Sequence, residues 1–441
     1  MLPDLIKRFF THRPALATIV ENVGWLFIEK VMRLGVGLVV GVWVARYLGP
    51  EQFGLLSFAL AFTGLFGAAA TLGLHEIVVR DIVRNPENVR ITLGTSAVLH
   101  LMGGFVSFLL ITWAIAAARP EDPIARGVVI LLASTLLFQF GRIATYWFES
   151  QIKSKYTVWV QTGVFLTFAA AKILLIRFQA PLKTFVWITV LEALISAAAL
   201  LLILNRYGVS LVSLRVKSTC GLRLLRESWP LAVSAVAITI YMKVDQLMLG
   251  QMAGDGAVGV YSAAVRVSEV WYFIPTVIVA SVFPALLKAR ERSLELYSAR
   301  LQRLHDLLAV ISVCIAASVA YWATEIVCVL FGDAYAAAGP VVAVHVWASV
   351  FVFLGVAGGR WYIAENRQKL TLQRTVLGAI ANVVLNLVLI PVYGPVGAAI
   401  ATVLSYALAA FLSDAVQSET RLLFYIKLRS LNLPAAVARL L

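Results

Sequence analysis

Long apolar stretches recur along the chain, separated by short segments that carry most of the charged residues. About 20 consecutive apolar residues suffice to cross a bilayer as a helix. Twelve stretches of this kind are predicted at 22–46, 52–76, 91–117, 126–148, 157–178, 182–204, 227–252, 257–286, 302–323, 340–363, 370–392 and 395–416. They leave no room for a sizeable soluble domain, so the pattern predicts an all-α integral membrane protein with about twelve transmembrane helices.

The basic residues favour alternate loops of this pattern. The N-terminus, every second loop and the C-terminal tail hold most of the 37 lysines and arginines. The other loops hold only Arg119, Arg126, Arg177 and Lys183. Because cytoplasmic loops carry the excess of lysine and arginine, both termini are predicted to be cytoplasmic. The net charge of +14 is then a property of cytoplasmic loops, and nucleic acid is not expected as a partner.

A long basic connector at 205–226 divides the chain into two halves of six spans each. We expect a basic cytoplasmic arm at 1–21, an N-lobe at 22–204, a C-lobe at 227–416 and a cytoplasmic tail at 417–441. The tail alternates basic residues with leucines, which fits either an interfacial amphipathic segment or a disordered one.

The two halves also resemble each other weakly in sequence. The corresponding positions are Trp25, Gly49, Gly54, Ser57 and Ala59 in the first half and Trp229, Gly254, Gly259, Ser262 and Ala264 in the second. Six spans per half is an even number, so the two repeats share one orientation in the membrane. The predicted architecture is therefore two six-helix lobes around a central cleft.

Charged residues inside the predicted spans are the candidate functional groups. They are Glu29, Lys30 and Arg33 in the first span, Lys243 and Asp245 in the seventh, and Arg266 and Glu269 in the eighth. A charge at the bilayer centre costs at least about 2.5 kcal/mol, so these side chains should face protein or water. A cleft lined by the cations Lys30, Arg33, Lys243 and Arg266 suits an anionic substrate, because an arginine fork matches phosphate geometry.

An alternative is that these charges only neutralise one another. Glu29 would then pair with Arg33, and Arg266 with Glu269. The carboxylates Asp245 and Glu269 could carry a coupling proton, but a structural pairing role explains them equally well. Asn382 and Asn386 stand one helical turn apart and are expected to hydrogen-bond between helices.

Motifs of catalysis and of metal binding are missing from the sequence. It contains no Walker A motif, no HExxH and no GxSxG, and its predicted external loops are short. The three cysteines form no CxxC pair, so we expect free thiols and neither a metal site nor a cofactor. The sequence thus favours a transporter without catalytic residues over a membrane enzyme of glycan assembly.

Four groups of segments resemble one family of transporters. They are 22–25 with 45–54 (ARYLGPEQFG), 243–245 with 258–262 (VGVYS), 331–335 (FGDAY), and 382–386 with 390–402 (IPVYGPVGAAIAT). Together they are similar to the polysaccharide exporters and O-antigen flippases of the multidrug/oligosaccharidyl-lipid/polysaccharide (MOP) superfamily. The last group is the most specific of the four.

This resemblance implies a two-lobed flippase of the bacterial inner membrane that works by alternating access. Its expected substrate is a polyprenyl-diphosphate-linked oligosaccharide, whose diphosphate would contact the cleft cations. Membrane lipids are further expected partners, and a glycan polymerase with its chain-length machinery is a candidate protein partner. The alternative within the superfamily is a cation-coupled multidrug exporter, but such a protein needs a carboxylate-lined cavity, and the basic residues of spans 1, 7 and 8 argue against one.

Overall fold

The computed structural model describes residues 14–365 and 367–441, and describes side chains from residue 24 onward except residue 368. In that part of the chain the regular secondary structure is helical, without a β-strand. The α-helices are α1 (Pro14–Ala70), α2 (Leu74–Arg84), α3 (Val89–Ala118), α4 (Pro123–Ala133), α5 (Ile143–Ser150), α6 (Lys155–Arg177), α7 (Leu182–Arg206), α8 (Ser218–Met252), α9 (Asp255–Glu269), α10 (Phe273–Arg292), α11 (Leu294–Tyr321), α12 (Ala323–Phe331), α13 (Ala338–His345), α14 (Ala348–Ala364), α15 (Gln368–Ala407), α16 (Ser413–Val416), α17 (Arg421–Leu431) and α18 (Leu433–Leu440).

Ten helical stretches of the described chain are long and apolar enough to cross a membrane. Two of them, Gly24–Arg84 and Lys369–Val416, are 61 and 48 residues long. Each contains a glycine with non-helical backbone angles, Gly49 in the first and Gly394 in the second. The twelve predicted spans coincide with these ten stretches, with two spans on each of the long ones. The all-α class is confirmed, and twelve crossings remain a prediction.

The chain forms two compact units. Unit 1 comprises the chain up to Val44 together with Phe62–Val236, and unit 2 comprises Ala45–Ala61 together with Ala237–Leu441. This division differs from the predicted contiguous lobes, because a segment of α1, in the first half of the chain, falls in unit 2. The exchanged segment, Ala45–Ala61, begins just before the break in α1 at Gly49.

Gly49 and Gly254 open equivalent turns in the two halves of the chain. Gly49 has φ 73° and ψ 169°, and Gly254 has φ 84° and ψ 173°. Glycine adopts positive φ at little steric cost, whereas other residues do so at a penalty. The nearly identical backbone angles at corresponding positions support the repeat that the sequence indicates.

A close backbone contact follows these two turns within unit 2. A Cβ atom on Gly54 would lie 1.8 Å from the carbonyl oxygen of Asp255, and one on Gly259 would lie 2.0 Å from that of Pro50. Pro50 and Asp255 each come directly after a turn glycine, so the two contacts are reciprocal. We call this arrangement the glycine elbow. It admits no side chain at Gly54 or Gly259 unless backbone moves.

Helix α15 is a hairpin of two helical limbs that meet at Gly394, where φ is 53° and ψ is −132°. A Cβ on Gly397 would lie 2.2 Å from the carbonyl oxygen of Leu389, so the limbs leave the turn in close contact. Further from the turn, the Asn382 amide donates to the Ser405 hydroxyl at 3.3 Å. The hairpin therefore places polar residues of the two limbs opposite each other.

The connector predicted at 205–226 lies within unit 1, and α8 begins inside it at Ser218. Arg223 donates to the buried Asp81 carboxylate at 2.9 Å, and Thr92 donates to the same oxygen at 2.9 Å. One turn of α8 further on, Glu227 pairs with Arg80. These contacts tie the first turns of α8 to the end of α2.

The C-terminal tail forms helices that pack on protein, so the expectation of a disordered segment is wrong, whereas an interfacial position stays a prediction. Leu423 and Ile426 of α17 are buried in a core cluster with residues of α11. Arg439 of α18 binds the buried Asp306 carboxylate through two nitrogens, both at 2.8 Å. The tail docks because its apolar face is buried and because Asp306 of α11 gains a cationic partner.

Candidate functional site

A buried carboxylate surrounded by hydrogen-bond donors forms the candidate site of unit 2. Asp245 of α8 is 3% exposed. Its Oδ2 accepts hydrogen bonds from the Tyr261 and Thr402 hydroxyls, both at 2.7 Å. Its Oδ1 accepts from the Asn386 amide at 2.5 Å. Helix α9 and both limbs of α15 thus converge on one carboxyl group of α8.

A second set of bonds holds these donors in place. Asn386 also donates to the Asn382 side-chain oxygen at 3.1 Å, which lies one helical turn away on the same limb. The Tyr261 and Thr402 hydroxyls are 3.1 Å apart. Asn382, Asn386 and Thr402 are buried. We call Asp245, Tyr261, Asn382, Asn386 and Thr402 the Asp245 cluster.

Among the described residues, no cation contacts the carboxyl group of the Asp245 cluster. Within the described part of the chain, no lysine, arginine or histidine nitrogen lies within 4.0 Å of the Asp245 carboxylate. The side-chain oxygen of Asn386 is also buried there and accepts no hydrogen bond. A buried carboxylate that lacks a charged partner is costly. As far as the structure describes the chain, the cluster therefore contains a carboxyl group without a cationic partner and an amide oxygen without a donor.

Two other predicted site residues lie near this cluster. Lys243, on the same helix as Asp245, acts electrostatically on Glu269 and on His345. Glu269 ends α9, and both Lys243 and Glu269 are half-buried. Three of the seven charged residues that the sequence singles out, Lys243, Asp245 and Glu269, thus lie in one region of unit 2.

Arg266 does not pair with Glu269, so that part of the ion-pair alternative is wrong. Its guanidinium lies over the Phe53 ring, 5.0 Å from the ring centroid. Phe53 packs edge-on against Tyr335, with ring centroids 6.3 Å apart. An arginine over an aromatic face gains a cation–π attraction and keeps its donors available. Within the described residues, no carboxylate forms a salt bridge with Arg266.

The charged residues of the first span lie in unit 1, and here the ion-pair alternative is confirmed for one pair. Arg33 donates to the Glu29 carboxylate at 2.9 Å, four residues earlier on α1. The Arg33 guanidinium also lies 5.1 Å from the centroid of the Phe165 ring. Lys30, between them in sequence, is exposed.

Sequence reasoning missed several residues of the site. Tyr261 and Thr402 carry the shortest hydroxyl contacts to Asp245, but one hydroxyl within an apolar span has no distinguishing pattern. The Asn382–Asn386 pair was correctly expected to bond between helices. Only the hairpin at Gly394, which brings Thr402 opposite Asn386, reveals that the pair contributes a hydrogen bond to a carboxylate.

In the described residues no group of three or more His, Cys, Asp or Glu could hold a metal ion.

Similarity to solved structures identifies the fold of this chain. The chain is similar to an inward-facing multidrug resistance MATE family transporter of the MOP superfamily, with a TM-score of 0.72 and 16% identity over 94% of this chain and 99% of that one. It is also similar to the lipid II flippase MurJ in an inward closed conformation, with a TM-score of 0.68 and 14% identity over 92% of this chain and 90% of that one. The chain has the fold of MOP-superfamily transporters.

Curated relatives carry names from glycan assembly. The chain is 22% identical to a Haloferax volcanii protein named low-salt glycan biosynthesis flippase Agl15, over 87% of this chain and 80% of the relative. It is also 25% identical to a Shigella dysenteriae protein named as an O-antigen transporter, over 60% of this chain and 67% of the relative. The ten membrane-length helices in the described part of the chain make this a multi-pass membrane protein.

The sequence model of one family matches residues 19–290, which is more than half of the chain. That match extends from α1 through α10 and includes Asp245, Tyr261, Arg266 and Glu269. The chain therefore belongs to the family described as polysaccharide biosynthesis protein.

Proposed function

We propose that this protein is a flippase for a polyprenyl-diphosphate-linked oligosaccharide, the repeat unit of a surface polysaccharide. The observation that carries the proposal is membership in the polysaccharide biosynthesis family, together with relatives named as a flippase and as an O-antigen transporter. The multidrug-exporter alternative has only the likeness of fold in its favour, and fold alone does not specify a substrate.

Alternating access is the proposed mechanism, with unit 1 and unit 2 as the moving parts. Cations would meet the substrate diphosphate, because phosphate is held most strongly by charge-assisted hydrogen bonds. Among the candidates, Arg266 and Lys243 are preferred, since neither forms a salt bridge with a carboxylate within the described residues. Arg33 and Lys30 are weaker candidates, because Arg33 already donates to Glu29.

The proposed coupling site is the Asp245 cluster. A transported cation, proton or metal, would neutralise the Asp245 carboxylate and remove the cost of burying it. A proton would bind the carboxylate alone, whereas a metal cation would also use the free Asn386 oxygen. Glu269 would serve as the neighbouring carboxylate, with its charge moderated by Lys243.

The proposed location is the bacterial inner membrane, with both termini in the cytoplasm. This orientation places the basic arm, the connector and the tail on the cytoplasmic side, as the positive-inside rule requires. A glycan polymerase and its chain-length machinery are proposed as partners on the other side of the membrane, where they would consume the translocated unit.

The decisive experiment measures the leaflet distribution of the lipid-linked oligosaccharide in cells that lack the protein. We expect accumulation on the cytoplasmic face and loss of the elongated surface glycan, and the mass of the accumulated lipid identifies the cargo. An unchanged distribution together with greater sensitivity to cationic drugs would refute the flippase function and favour the multidrug alternative.

Complementation of the same cells then tests the proposed site. Asp245→Asn should abolish export at normal protein levels, because the amide cannot bind a cation as the carboxylate does. Asp333→Asn, in an exposed turn, is the matched control and should restore export. Arg266→Gln is expected to impair export, with the exposed Arg421→Gln as its control. Full export by both site variants would refute the assigned roles while leaving the flippase function standing.

A further inference from the structure

Unit 2 contains an apolar pocket that the proposed transport function does not use. Its volume is about 330 Å³, at the lower end of the roughly 300–1,000 Å³ typical of small-molecule sites. The walls come from α8, α14 and α15, and include Ile238, Met242, Phe351, Val352 and the stacked rings of Tyr241 and Tyr406. The pocket has room for a length of hydrocarbon chain and offers it few polar partners along the walls.

One part of the lining is strongly cationic. Arg374 and Lys427 both line the pocket and are only 7% and 1% exposed. Both pair with the Asp414 carboxylate, which lies 2.7 Å from the Lys427 nitrogen. Tyr362 donates to the same carboxylate at 2.5 Å. Two buried cations thus share one carboxylate, and within the described chain no second carboxylate reaches either of them.

This arrangement leaves one positive charge in excess at the edge of an apolar cavity. A buried charge without a partner is costly, so binding an anion there would be favourable. Apolar walls at the same place favour a hydrocarbon chain, since burying it removes apolar surface from water or from looser packing. A free sugar phosphate would gain nothing from the walls, and a cationic amphiphile would be repelled by Arg374 and Lys427.

We propose that this pocket binds the hydrocarbon chain of a membrane lipid whose phosphate group lies at Arg374 and Lys427. Two lipids share that chemistry: the polyprenyl phosphate part of a glycan carrier, and an anionic phospholipid. The site is independent of the Arg266 and Asp245 roles proposed above. An occupant would nevertheless lie one helical turn from the Asp245 cluster, because Tyr241 precedes Asp245 by four residues and Tyr406 follows Thr402 by four.

Photocrosslinking of the purified full-length protein tests the proposal. The probes are diazirine-bearing farnesyl phosphate, the corresponding farnesol, and a diazirine-bearing phosphatidylglycerol. We expect at least one phosphate probe to label peptides of α8, α14 or α15, and farnesol to label them more weakly. Competition by unlabelled farnesyl phosphate against unlabelled phosphatidylglycerol then distinguishes a carrier-lipid site from a phospholipid site.

A filled pocket supplies the matched control. Gly359 lines the pocket, and a Cβ there would meet no atom within 4 Å, so Gly359→Leu places its side chain in the cavity without a backbone clash. Gly163 of α6 has equally open surroundings but lies in unit 1. Labelling should fall about tenfold or more in Gly359→Leu, because the leucine side chain occupies space that the hydrocarbon chain would otherwise fill. Gly163→Leu should label as the unaltered protein does.

Two results would overturn the proposal. One is labelling of the pocket by farnesol as strongly as by farnesyl phosphate, which would remove the role of the cations. The other is a failure of specific labelling, seen either as labelling that Gly359→Leu leaves unchanged or as no labelling of these helices by the phosphate probes. Unlike the leaflet measurement, these results concern the pocket alone, so failure here leaves the flippase function untouched.

Discussion

Replacing Gly259 by alanine tests whether the glycine elbow is a tight contact between backbones. The new Cβ would lie 2.0 Å from the Pro50 carbonyl oxygen, whereas ordinary contact begins at 3.4 Å, so the backbone must separate by about 1.4 Å. Overpacking of this kind costs about 3 kcal/mol at the upper end of its usual range. Alanine in a helix regains about 1 kcal/mol over glycine. The free energy of unfolding should therefore fall by about 2 kcal/mol.

Denaturant unfolding in detergent, followed by the fluorescence of the 11 tryptophans, measures this change. The matched control is Gly64→Ala on α1, where a Cβ would meet no atom within 4 Å and only the gain in helix propensity is expected. Gly54→Ala disturbs the reciprocal contact with Asp255. The double variant should therefore cost less than the sum of the single ones, because one separation relieves both clashes. Equal stability of Gly259→Ala and Gly64→Ala would show that the elbow is loose.

Two other predictions concern the tail and the topology. Asp414→Asn would leave Arg374 and Lys427 buried without a carboxylate and should destabilise the protein by roughly 3–5 kcal/mol, as breaking a buried ion pair does; unfolding measured beside the exposed-site control Asp333→Asn checks this, and a shift below about 1 kcal/mol would contradict it. A fluorescent protein fused after Leu441 should fluoresce in cells and an alkaline phosphatase fused there should be inactive, whereas the reverse pattern would place the C-terminus outside.

The positions of the spans could be read from the sequence because hydrophobic length is a local property. The Glu29–Arg33 pair was also predictable, since four residues separate neighbours on a helix face. The partner of Arg266 was not, because a contact with the Phe53 ring depends on how α9 packs against the exchanged segment of α1. The same reason hides the Asp245 cluster, whose donors come from three helical limbs.

The tail shows a different limit of sequence reasoning. Its basic and apolar residues fit a membrane surface, an unfolded segment or a protein groove equally well. The deciding partners are the carboxylates of Asp306 on α11, which lies 133 residues before Arg439, and of Asp414 on α16, which lies 13 residues before Lys427. A buried carboxylate that needs a cation can be recognised only when the fold has brought the two together.

The exchange of Ala45–Ala61 has a consequence for how this molecule could be divided or could have arisen. The polypeptide passes from one unit to the other at 44–45, again at 61–62 and finally at 236–237. A cut in the connector would therefore yield two fragments, neither of which contains all of its own unit. If the two halves descend from a duplicated gene, the glycine elbow is the kind of contact that domain swapping would produce. Each half contributes one of the two helix starts that touch there, so a single copy could form the same contact only with a second copy of itself.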